Sequence, residues 1–193
     1  LIATAHYRVR EYPLDVVGKS PAELDKLRLR VQNASLAQQK IGLSPYIVPS
    51  ECRMNEEQTY YYEISRYQDE SSLRSKLRLK TFKQIDKINI LLDIAKALKA
   101  AHKENVFHRD VCPENIFVYE GGKAALANFG RSWFEEHMDL SFTVGANLNS
   151  PYTPPEFLEN DVCTGSDIYS LGVIFYELMV GRVPFDNVRT FAI

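Results

Sequence analysis

The chain has 193 residues, 45% of them hydrophobic and 25% charged, and a net charge of −2. This is soluble globular composition, with enough chain for one good core or two small lobes. The near-neutral balance gives no ground for chain-wide attraction to nucleic acid or to a membrane surface. Cysteines at positions 52, 112 and 163 lack C-x-x-C spacing, which argues against a zinc site or disulfide framework and for a reducing, cytoplasmic interior. No apolar run reaches the ~18 residues of a membrane span; the run from Ile168 to Val180 is too short and contains Glu177. The first residue is not methionine, so the chain reads as an excerpt in which no targeting signal can be judged.

In chain order, Thr4 to Tyr12 alternates and is rich in tyrosine and valine, which predicts a strand. Ser20-Pro21 followed by Glu23 reads as a helix start, and the helix runs through Leu24, Leu27, Val31 and Leu36 to stop near Gly42. Tyr46 to Arg53 and Gln58 to Ser65 read as two strands around a polar turn at Asn55-Glu56. The basic run from Ser71 to Lys87, with Arg74, Lys76, Arg78, Lys80 and Lys83, reads as a solvated face. From Thr81 to Lys103, Ile85, Ile88, Leu92, Ala95 and Leu98 recur at helical spacing. Ile116 to Tyr119 and Lys123 to Ala127 flank Gly121-Gly122, a hairpin signal. Arg131 to Pro155 is a loop, and Asp167 to Val180 is an apolar helix closed by Gly181.

The motifs fall in the second half. His108-Arg109-Asp110 is followed by Asn115 at the spacing H-R-D-x-x-x-x-N, and then by Asn128-Phe129-Gly130. Thr153-Pro154-Pro155-Glu156, Ser166 to Val173, and Val183-Pro184-Phe185 come in order behind them. This series resembles the protein kinase family: its catalytic loop, its D-F-G triplet, its A-P-E segment and the buried helix after it. Pro113-Glu114-Asn115 is closer to serine/threonine than to tyrosine kinases. The resemblance implies a two-lobed α+β protein-kinase-like fold without its glycine-rich strands and final helices. Residues 1–66 would form a partial N-lobe and 67–193 a partial C-lobe.

The resemblance also assigns positions. Asp110 stands at the catalytic-loop aspartate, which orients the hydroxyl nucleophile, and Asn115 at a magnesium ligand. Asn128 replaces the triplet's metal-binding aspartate, and a neutral amide is a weaker ligand for magnesium. Cys112 replaces the loop lysine, removing a cation that stabilises the transferred phosphate. The strand lysine is matched by Arg8 or, two residues on, by Arg10; the residue two before it, normally a small one against the adenine, would then be His6 or Arg8. Its partner glutamate falls near Ser35, and no acid lies between Lys26 and Ser50. His108, Arg109, Phe129, Gly130, Glu156 and Asp167 match structural or regulatory positions, with Arg109 as receiver of a phosphorylated loop and Ser141 and Thr143 as candidate phosphate sites. Glu156 would lack the arginine that it pairs with in the family.

Four departures together (Arg8, the Ser35 site, Cys112, Asn128) point to a pseudokinase with weak or no phosphotransfer. It would serve as a regulatory module that binds other domains of its parent chain or a protein partner, with ATP and magnesium held poorly. The alternative is a divergent, active serine/threonine kinase acting on protein substrates.

Overall fold

The computed structural model describes residues 7–13, 20–57, 59–66, 71–79, 82–133, 150–159 and 164–184. Residues 4–6, Lys80, Thr81, Ser141, Thr143, Cys163 and Phe185, which figure in the reading above, lie outside them.

Strands β1 (Tyr7–Pro13), β2 (Ser50–Met54) and β3 (Tyr60–Arg66) form one antiparallel sheet in the order β1-β3-β2. Helix α1 (Pro21–Ile41) connects the first two strands. It ends at Gly42, whose φ of +78° is an αL stop that a side chain would strain. Asn55 builds the turn between β2 and β3, since its Oδ1 accepts the amides of Thr59 and Tyr60 at 2.9 and 2.8 Å.

The strand expected from Tyr46 to Arg53 is divided. Tyr46 to Val48 bonds to β6 (Ala124–Leu126) through Leu126 N to Tyr46 O and Val48 N to Leu126 O. Pro49 has no amide to donate, and only from Ser50 does the chain join β3. One short segment thus ties the first sheet to a second one, ordered β4 (Ser71–Ser72), β5 (Ile116–Val118), β6. The β5–β6 turn has Gly121 and Gly122 at φ +82° and +79°, as its composition predicts.

The basic run is not a solvated face throughout. Leu73–Leu79 is a helix, α2, anchored by the fully buried Leu73. Lys76 donates to Val118 O at 2.6 Å, and Arg74 is tied into a network described below. A spacing that exposes some basic side chains also turns one edge of such a helix inward.

Helix α3 (Gln84–Lys103) buries Ile90, Ile94, Ala97, Leu98 and Ala101, one stripe at helical spacing. Asn105 (φ +54°) closes it in a Schellman turn, with Asn105 N to His102 O and Val106 N to Ala101 O both 3.0 Å. Helix α4 (Thr164–Val180) packs Val173, Ile174 and Leu178 into the same core. Each buried Ile or Leu contributes about 1.5–3 kcal/mol of transfer free energy. On α4, Ile168, Phe175 and Val180 remain half exposed. Among the described residues no helix is long and apolar enough to cross a membrane.

Candidate functional site

The loop after α3 carries the chemistry, and its shape is imposed from α4. Arg109 has φ +64°, an uncommon backbone state for a side chain of that size. Asp167, 1% exposed, holds it there. One carboxylate oxygen accepts Arg109 N at 2.8 Å; the other accepts His108 N and bonds His102 Nε2, both at 2.8 Å. A buried carboxylate with three such donors is fully satisfied.

His108 is buried with both ring nitrogens engaged. Asp110 N donates to Nδ1 at 3.2 Å, which fixes the proton on Nε2, and Nε2 donates to Ala127 O at 2.9 Å. The ring stands edge-on to Phe129, 4.6 Å between centroids. No nitrogen is left to move a proton.

Asp110, Asn115 and Asn128 come together as a chain of side-chain hydrogen bonds. Asn128 Nδ2 donates to Asn115 Oδ1 at 3.0 Å. Asn115 Nδ2 donates to Asp110 Oδ2 at 3.0 Å and to Asp110 O at 2.8 Å. Arg131 adds an ion pair to Asp110 Oδ1 at 3.4 Å. Asn128 has φ +68° and ψ +57°, an αL state that asparagine tolerates well.

This geometry tests whether a divalent cation fits. A cation site needs converging oxygen acceptors. Here an N–H donor points at the one free amide oxygen of Asn115, so the pair closes on itself. The residues do not fit a magnesium ion in this arrangement. Among the described residues no cluster of three His, Cys, Asp or Glu stands ready for another metal.

Cys112 is half-buried, and burial first, then the charges of Asp110 and Glu114, push its thiol up to about 12. It is a poor nucleophile at neutral pH. Burial likewise lowers Arg109 to about 10, with Asp167 opposing and Arg131 adding to the shift.

Arg8 lies away from Asp110: its guanidinium covers the Phe117 ring at 4.7 Å. Arg10 is the register partner of Glu63 in the β1–β3 ladder. Ser35, where the partner glutamate was expected, meets Gln39 at 3.5 Å instead. Glu156 accepts from Ser166 Oγ at 2.8 Å.

Four residues were given no site role by the sequence. Asn33 of α1, 1% exposed, points at the Asn128-Phe129-Gly130 segment and donates Nδ2 to Ser132 O at 2.7 Å and Gly130 O at 3.2 Å. It shares the inward side of the helix with the buried Ala34 and Ala37. The available signal was a weak helix former amid stronger ones. Arg74 donates to Glu114, Glu177 and Tyr152 at 2.7, 2.6 and 2.5 Å, and Tyr152 in turn donates to Glu177 at 2.5 Å. Glu177 is the second missed residue of this network and Tyr152 its link to the loop before Pro154. Nothing local marks such a network. It forms one wall of a cleft of about 530 Å³ that Asp110, Cys112 and Arg131 also line.

The fold and this loop define a protein kinase-like domain. The family model for the protein kinase domain matches residues 22–192, and the chain belongs to that family. It is 31% identical over 146 residues to CBL-interacting protein kinase 1 of Oryza sativa subsp. japonica, covering 72% of this chain and 32% of that protein. It is 29% identical over 136 residues to the serine/threonine-protein kinase PrkC of Bacillus subtilis (69% and 21%). A probable serine/threonine-protein kinase, pknA2 of Bifidobacterium longum, is 32% identical over 108 residues (55% and 14%). The matched region thus spans between about a seventh and a third of these relatives.

Proposed function

We propose that this chain is a pseudokinase domain of the serine/threonine type, built from lobes at 1–66 and 67–193, that acts through binding rather than phosphotransfer. The hydrogen bond from Asn128 to Asn115 carries this reading. In an active site of this family the two positions offer oxygens to magnesium; here one offers a hydrogen to the other. Asp110 keeps the place of the nucleophile-orienting carboxylate, but its oxygens are engaged by Asn115 and Arg131. Cys112 supplies no cation, and neither Asn33 nor Ser35 supplies an acid for an ion pair with Arg8 or Arg10. His108, Arg109, Phe129, Gly130, Glu156 and Asp167 then serve as architecture around a cleft that takes a peptide segment of a partner or of another domain.

Two measurements test this. Calorimetric ATP titration with magnesium and with a chelator should give the same weak affinity. A radiolabel transfer assay should give no product above background. Tight binding that vanishes on chelation, or turnover abolished by Asp110→Asn, would establish the active-kinase alternative instead.

A further inference from the structure

We infer that Arg8 is a built-in plug of the slot that would take a nucleotide's base. The inference rests on the reading just given and extends it to a second, separate obstacle to nucleotide binding.

Phe117 lies on β5, two residues beyond Asn115. In the register that matches the strand lysine to Arg10, Arg8 stands at the position that the family keeps small against the adenine. A nucleotide with its phosphates beside Asn115 and Asn128 would therefore lay its flat base on Phe117. That face is taken. Arg8 reaches across from β1, in the other sheet, and sets its guanidinium 4.7 Å from the ring centroid, well inside the ~6 Å reach of a cation–π contact. The guanidinium is planar and weakly hydrated, so it fills a slot shaped for a planar base.

The strand that carries Phe117 is fixed in place and its ring is packed. Its backbone is paired on both sides, with Ser72 and with Ala125, and the residue is 8% exposed. A base must displace Arg8, and the displaced guanidinium loses its aromatic partner. The contact also joins the two sheets, since Arg8 is on β1 and Phe117 on β5.

The test is calorimetric titration of the full-length protein with adenosine. Adenosine has no phosphates, so it reads the slot and is blind to the Asn115–Asn128 pair. Arg8→Ala should bind adenosine roughly tenfold more tightly than the parent, the scale of one partly desolvated cation–π contact. Arg8→Lys, which keeps the charge but not the planar face, should gain less. Phe117→Leu keeps an apolar floor while releasing Arg8, and should also gain; it keeps the test open if Arg8→Ala melts early by circular dichroism. Equal adenosine affinity in parent and Arg8→Ala, or weaker binding in the variant, would overturn the plug. The magnesium comparison above is read separately with ATP, so either idea can fail alone.

Discussion

Asn128 donates its side-chain amide to Oδ1 of Asn115 at 3.0 Å, so the two positions that match metal ligands of the family are bonded to each other. Asn128→Asp should therefore reverse the logic of the pair. Without metal, two acceptors would face each other and the lost bond should cost about 1–3 kcal/mol. Magnesium should recover that loss. Thermal melts with magnesium and with chelator should differ for the variant and coincide for the parent. Coincident melts for both proteins would show that the aspartate does not rebuild a cation site.

Phosphotransfer by the parent protein should stay below about 0.01 per second, against ~1–100 per second for working kinases. Asp110→Asn should leave whatever background remains unchanged, because the carboxylate is engaged by Asn115 and Arg131 rather than by a nucleophile. Radiolabel incorporation into a generic protein substrate measures both.

Arg74→Ala should destabilise the domain by about 2–3 kcal/mol, discounted from the 3–5 typical of a broken buried pair because Arg74 is partly exposed. Glu177, its side chain 10% exposed, would lose the cation that balances it. Arg74→Lys should recover only part, since an ammonium cannot reproduce the fork that reaches Glu114, Glu177 and Tyr152 at once. Urea midpoints of the three proteins check this order.

Asn33→Asp should cost more than Asn33→Ala. The alanine loses donors to Ser132 and Gly130, worth about 1–2 kcal/mol. The aspartate aims a buried charge at carbonyl oxygens, which costs about 3 kcal/mol or more unless it protonates. Denaturant midpoints at pH 5 and pH 8 separate the two, with the aspartate variant gaining relative stability at the lower pH.

Stability should fall above pH 9. Burial raises Cys112 to about 12 and, with help from Glu63, Cys52 to about 11. A thiol whose folded pKa is raised favours the native state fully below the unfolded value near 9. That contribution is lost as pH climbs toward the folded value, and because both thiols are only partly buried it stays well below the ~1.4 kcal/mol per unit of a fully buried one. Urea midpoints at pH 8, 9.5 and 10.5 should decline, and less steeply in Cys112→Ser. At pH 8 both thiols should react slowly with an alkylating reagent, as mapped by mass spectrometry.

The sequence by itself determined the family and most of the elements. The spacing from His108 to Asn115, the Gly121-Gly122 turn and the apolar stripe of α3 are local signals, and local signals survive in one dimension. So did the substitution of an amide at Asn128, which is a matter of identity. What that amide does was decided only by the fold. Asn115 and Asn128 are 13 residues apart in sequence, and nothing in their spacing says that one donates to the other. The same holds for Asn33, 99 residues from the Ser132 carbonyl that it holds, and for Arg74, 103 residues from Glu177. It also holds for Arg8, whose strand pattern left its partner open until two sheets met at Phe117. Hydrogen bonds and ring contacts between distant residues depend on ångström-scale placement. Periodicity fixes which face of an element turns inward, but only packing of all the elements fixes what that face meets.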